Sequence, residues 1–201
     1  MPRVVIPIYF DYASTLCYVA WRIVREIEDE LGFEALWKGV PIVLRDFRTR
    51  AGRSLTAQER NKVMAVAAET GVPVTPPEQW LDSRDALEGA ELAREAGVFN
   101  RYHEAVFRAA FEERRDIARA EVLDQIARSA GMDPERFLSD LSSRRMAPRL
   151  EQWRREADQF SALGYPAFML GDFPMVGIQP ADTMRLLLGR YIRMRQSEPQ
   201  A

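Results

Sequence analysis

The sequence predicts an α/β fold carrying an all-α insertion, and three observations support the prediction. A short β-branched and aromatic run, a helical periodicity and a second apolar run open the chain in the order β-α-β. From about residue 54 to 145 only helical patterns follow. A further helix, two short apolar runs around Gly171-Asp172 and a last helix then complete an order α-β-β-α. The expected division is residues 1–53 with 146–201 as one domain, and 54–145 as an inserted helical subdomain.

Residues 3–10, Arg-Val-Val-Ile-Pro-Ile-Tyr-Phe, read as a buried strand. Pro7 has no amide to give to a ladder, which places part of that strand at an edge or an end. After Ser14, the residues Tyr18, Trp21, Ile23, Val24, Ile27 and Leu31 recur at helical spacing, and Gly32 stands where a helix ends in a left-handed residue. A second strand is read over residues 33–44. The charged, irregular stretch 45–53 marks a boundary. Thr56-Ala-Gln-Glu59 is a capping box, hydroxyl and carboxylate each satisfying one orphan amide, and its helix ends near Gly71. Residues 72–77, Val-Pro-Val-Thr-Pro-Pro, form a rigid extended loop. Four helical patterns follow at 82–96, 99–112, 119–130 and 134–144, the last with Asp133 as cap and Pro134 in the first helical position. A helix over 147–163, strands over 165–170 and 173–176, and a helix over 180–194 close the chain.

Composition narrows the function. Of 201 residues, 28 are Lys or Arg and 30 Asp or Glu, so the net charge of −2 argues against a nucleic-acid binder that relies on a basic field. No apolar run approaches the ~20 residues that span a bilayer, and the first residues lack a signal peptide's apolar region. One cysteine excludes an intramolecular disulfide. The expectation is a cytoplasmic protein, monomeric or homo-oligomeric, a homodimer among the options.

Chemistry concentrates at Asp11-Tyr-Ala-Ser-Thr-Leu-Cys-Tyr18, where a strand feeds a helix through a short polar turn. The first amides of such a helix face whatever binds there, and its partial positive charge favours an anion or thiolate by roughly 0.3–1 kcal/mol. Ser14 and the sole cysteine, Cys17, share one face of the first helical turn. Ser14 also suits an ordinary N-cap role, and Cys17 that of a small buried hydrophobe. His103, the only histidine, has no second histidine or cysteine cluster to make a metal site and reads as a satisfied or surface residue. Trp37, Trp80 and Trp153 suit packing, with one or two able to wall a pocket between the insertion and the turn. Arg45 and Arg48 are either solvated or attract an anionic substrate.

These residues resemble the thioredoxin fold, and specifically the DsbA family in its FrnE-like branch. The chain is also similar to 2-hydroxychromene-2-carboxylate isomerase and kappa-class glutathione transferase. The Asp11–Tyr18 turn stands against the family's D-F-x-C-P-x-C-Y, Gly164-Tyr-Pro-Ala-Phe168 against G-V-P-x-F, and Gly177-Ile-Gln-Pro180 against G-A-Q-P. Leu44-Arg45, Ala86-Leu-Glu-Gly-Ala90 and Phe107-Arg-Ala-Ala-Phe111 are weaker matches. The resemblance implies a cis Tyr165–Pro166 bond beside the turn, with main-chain atoms of Tyr165 pairing with a thiol substrate.

Departures from the pattern shape the expected function. Dithiol exchange needs an attacking and a resolving cysteine. Here Ser14 occupies the attacking position and Cys17 the resolving one. Serine also occupies the attacking position in the isomerase and the kappa transferases, where it donates a hydrogen bond to the glutathione sulfur. Those relatives place Pro after that serine, where this chain has Thr15. They also place an acid for the γ-glutamyl amine near Gln179. The resemblance thus implies glutathione or a similar small thiol at Ser14, Tyr165, Pro166 and Gln179, an electrophilic second substrate, isomerase or transferase chemistry, and no metal. Monothiol redox chemistry through Cys17 and a non-catalytic binding module are the alternatives.

Overall fold

The structure, a computed structural model, describes residues 3–42, 51–160, 162 and 164–197. Four strands form one sheet: β1 (Val4–Phe10), β2 (Phe33–Gly39), β3 (Ala167–Leu170) and β4 (Phe173–Val176), in the order β2-β1-β3-β4. β1 and β2 are parallel, while β1–β3 and β3–β4 are antiparallel. Pro7 lies in an internal strand, yet the β1–β3 ladder covers only Ile8 and Tyr9, so at Pro7 the strand has a single neighbour. β2 ends at Gly39, short of the expected 44, and Pro41 follows with no amide to extend a ladder. Residues 43–50, with Leu44, Arg45 and Arg48, lie outside the described residues.

The helices are α1 (Thr15–Leu31), α2 (Ala57–Thr70), α3 (Arg84–Glu95), α4 (Phe99–Phe111), α5 (Ala120–Ala130), α6 (Pro134–Ser142), α7 (Ala147–Gln159) and α8 (Ala181–Ser197). α2 through α6 lie between β2 and α7 in the chain. α7 stops at Gln159 rather than 163, and the Thr56–Glu59 capping box opens α2 with both reciprocal bonds made. Alternation along β1 sorts the core into two clusters. Ile6, Ile8 and Phe10 pack with α1, α8 and the helical block, whereas Tyr9 packs with Val40, Ala157, Ala167 and Met169 under α7.

Both sheet edges are blunted. On β2, Glu28 accepts the Ala35 N–H at 2.8 Å and Arg94 donates to the Trp37 carbonyl, so two outward-facing backbone groups already have partners. On β4, the bond from Gly177 N–H to the Pro166 carbonyl fixes the alternation of the ladder and turns the nitrogen of Pro174 outward, where it offers no donor.

Candidate active site at the start of α1

β1 ends at Phe10, and the next residue organises the turn. Asp11 is buried, one carboxylate oxygen accepting the Ala13 N–H at 2.8 Å and the other the Ile42 N–H at 2.5 Å. Its carboxyl is raised from the ordinary range by burial, opposed by these bonds and one from the Ser83 hydroxyl. Three partners thus join the end of β1, the segment after β2 and the approach to α3. Asp11 stands in the motif of the turn, but the sequence reading assigns it no role. The available signal was an Asp two residues before a free amide, the Asx-turn pattern.

Ser14 follows as the N-cap of α1 in extended backbone, and its Oγ accepts the Cys17 N–H at 3.3 Å. The hydroxyl hydrogen is not used in that bond, and the side chain is half-buried at the edge of the turn. Cys17 lies behind it with no exposed surface, its Sγ accepting the Asp11 N–H at 3.4 Å. Burial is the main reason that its thiol is pushed up to about 12, the bond with Ser14 opposing. A thiol so placed is a poor nucleophile, because the reactive species is the thiolate.

The second chain segment at this end of the sheet contains the Tyr165–Pro166 bond, which is cis. Continuing the β1–β3 register sets Pro166 opposite Phe10 and Tyr165 opposite Asp11. Pro166 is buried, while the ring of Tyr165 is half-buried and packs against both core clusters. The Tyr165 hydroxyl is pushed up to about 12, first by burial and then by Asp158, Asp11 and Cys17. Gln179 is exposed between β4 and α8. Ser14, Cys17, Tyr165 and Pro166 therefore gather at one end of the sheet.

A cavity of about 250 Å³ opens beside the turn, reaching Ala13 and Thr15 on one side and Lys62, Val63, Pro77 and Trp80 on the other. Trp80 is thus the tryptophan that walls a space between the turn and the helical block.

His103 departs from its expected place. It is neither exposed nor fully satisfied: it is 2% exposed, Nδ1 pairs with the Tyr12 hydroxyl at 2.8 Å, and Nε2 has no partner among the described residues. Among the described residues, no group of three or more His, Cys, Asp or Glu is placed to hold a metal ion, and no helix is long and apolar enough to cross a membrane.

Comparison with known proteins agrees with this architecture. The uncharacterized protein YwbO of Bacillus subtilis (strain 168) is 26% identical over 187 residues, covering 88% of this chain and 92% of that protein. A probable DsbA oxidoreductase from Streptomyces coelicolor superposes with a TM-score of 0.77 at 23% identity, over 99% of this chain and 93% of that one. A 2-hydroxychromene-2-carboxylate isomerase gives 0.73 at 19% identity, over 96% and 98%. The cytosolic disulfide reductase DsbM of Pseudomonas aeruginosa, solved with GSH, gives 0.71 at 18% identity, over 94% and 100%. At these identities the structural likenesses speak for the fold. The model of the DSBA-like thioredoxin domain matches residues 5–189, and the chain belongs to that family.

Proposed function

We propose that the protein binds glutathione or a similar small thiol at the start of α1 and uses it in isomerase- or transferase-type chemistry on an electrophilic partner. The observation that carries this reading is the hydroxyl of Ser14. Its lone pair caps α1, and its hydrogen, which the cap does not use, can turn from the Cys17 sulfur to a bound thiolate without uncapping the helix. A hydrogen bond to a charged sulfur and the positive end of α1 act in the same direction, both favouring thiolate over thiol. Dithiol exchange has no second sulfur to work with, and the one cysteine is buried.

In this reading the main chain of Tyr165, ahead of Pro166, pairs with the peptide-like part of the thiol, and Gln179 offers a carbonyl to its ammonium group. The electrophile enters the cavity between the turn and α2, whose walls include Val63, Pro77 and Trp80. Ser14 and the helix end hold the sulfur as an attacking thiolate. The neighbour solved with GSH supports the choice of thiol, and the isomerase neighbour the class of chemistry. A compartment rich in reduced thiol, the cytoplasm, fits a chain that forms no intramolecular disulfide.

Isothermal titration with millimolar glutathione tests the reading. Wild type is expected to bind. Ser14→Gly is expected to weaken binding by about tenfold or more, the worth of a hydrogen bond to a charged group. Glycine is chosen because it costs an N-cap only a few tenths of a kcal/mol, which keeps the fold out of the comparison. Absence of binding by wild type would overturn the proposal.

A further inference from the structure

β4 and α8 share the side of the sheet on which α1 packs, and both leave apolar surface uncovered there. Alternation along β4 puts Phe173 and Met175 on that side. Met175 is half-buried against the larger core cluster, whereas Phe173 is 80% exposed. On α8, Met184, Leu188 and Ile192 face the core, and Leu187, Tyr191 and Met194 recur at helical spacing along the flank beside them. The other flank meets α1, through the ion pair of Arg185 with Glu30 at 2.9 Å and the approach of Gly189 to Leu31. The stripe of Leu187, Tyr191 and Met194 therefore looks toward β4.

Stripe and strand also meet at one height. Leu31 ends α1, so Gly189 beside it stands at the end of the sheet remote from Ser14. β4 starts at that same end, because it runs toward Pro166, whose carbonyl accepts the Gly177 N–H at 2.8 Å. Phe173 thus adjoins the stripe, and half-buried Met175 and Tyr191 line the seam between them. With Met194 at 53% and Leu186 at 67% exposure, the apolar surface is on the order of 500 Å². A contiguous patch of that size on a soluble protein marks a contact site.

Two features indicate what covers it. Strand addition is poorly served, since β4 has four residues and turns the nitrogen of Pro174 outward, so a partner must pack side chain on side chain. The margins of the patch carry opposite charges. Asp172 borders it beside Phe173, and Arg190 borders it on the solvent side of α8; both are exposed, and neither has an ion pair among the described residues. An acid on one margin and a cation on the other suit a two-fold contact, because the rotation sets each against its opposite. With these margins the patch approaches the ~800 Å² that each partner buries in a standard interface.

We infer that this flank of α8 and β4 is the contact of a symmetric dimer, its occupant a second copy of the chain. Phe173 and Leu187 of each copy pack on the same patch of the other, and Asp172 of each pairs with Arg190 of the other. The contact lies at the end of the sheet away from Ser14. It leaves the proposed thiol site open and does not depend on it.

Sedimentation velocity of the full-length protein tests the inference. Wild type is expected to be a dimer at about 100 µM and to dissociate on dilution. Phe173→Asp, a change at an exposed position, is expected to raise the dissociation constant about thirtyfold or more, while the circular dichroism melt stays that of a folded protein. Met64→Asp, at an exposed apolar residue on α2, is expected to leave the dimer as it is. Arg190→Asp is expected to weaken it about fivefold, and Asp172→Arg in the same chain to restore it. A monomeric wild type would overturn the inference and leave the patch to a different protein. A dimer indifferent to Phe173→Asp would place the contact elsewhere and overturn it as well. Failure of the charge exchange to restore association would overturn the two-fold pairing.

Discussion

His103 stays neutral in the folded protein because charging it would bury a cation among Phe10, Tyr12, Trp37, Phe99 and Phe107 with Arg94 nearby. Its folded-state value lies well below 6.5, whereas in the unfolded chain it titrates at the ordinary value. Protons therefore bind the unfolded state first as pH falls. The associated stability is complete above pH 6.5 and is lost below it, with a slope of up to about 1.4 kcal/mol per pH unit. Urea melts at about pH 7.5, 6.5 and 5.5 check the slope, and the Hε1 proton resonance should not titrate while the protein stays folded. A titration near the ordinary value would contradict the burial argument. The capping role of Ser14 was legible from sequence because a serine just ahead of an apolar-periodic run is a common N-cap. The state of His103 was not, since it depends on Tyr12 meeting the ring from a remote part of the chain.

Between elements, the closest packing is that of α3 on α4. A Cβ built on Gly89 would overlap Tyr102 Oη and lie 3.1 Å from a ring carbon of Phe137, so glycine is required there by contact rather than by backbone conformation. Tyr102 is fully buried, and its hydroxyl has no hydrogen-bond partner among the described residues. Gly89→Ala is expected to destabilise the protein by about 1–3 kcal/mol through overpacking. Tyr102→Phe removes a buried donor that satisfies nothing and is expected to be neutral or stabilising. In the double variant the alanine should cost less than in wild type, because the atom that it strikes is gone. Equilibrium denaturation of the three variants measures all of this, and a strongly destabilised Tyr102→Phe would show that the hydroxyl has a partner. Helix positions were readable because caps such as Thr56, Asp133 and Gly32 act locally. Strand ends were less so: the apolar run after Gly39 continues past the point where β1 has residues to pair with it.

At the scale of the molecule, the sheet and the helical block meet the candidate site through one carboxylate. The order β-α-β, helices, α-β-β-α was written in periodicity, and the position of Ser14 followed from it. That Asp11 joins three segments depends on the loop after β2 and on Ser83 folding back to the turn, which local pattern does not encode. Asp11→Asn keeps size and shape but replaces one acceptor oxygen with an NH₂ group, so either the Ala13 or the Ile42 amide loses its acceptor. The expected cost is about 1–3 kcal/mol, the penalty for a buried donor left unmade. Hydrogen exchange should speed up at Ala13 and Ile42 together, although they are remote in sequence, while strand amides such as Ile8 keep their protection. Glutathione titration of the same variant then separates two roles. A carboxylate that only stabilises the fold leaves affinity unchanged under native conditions. One that holds the turn in register weakens affinity with Ser14 itself intact, and that second outcome is expected, because Asp11 fixes both Ala13, next to the cap, and the strand end opposite Tyr165.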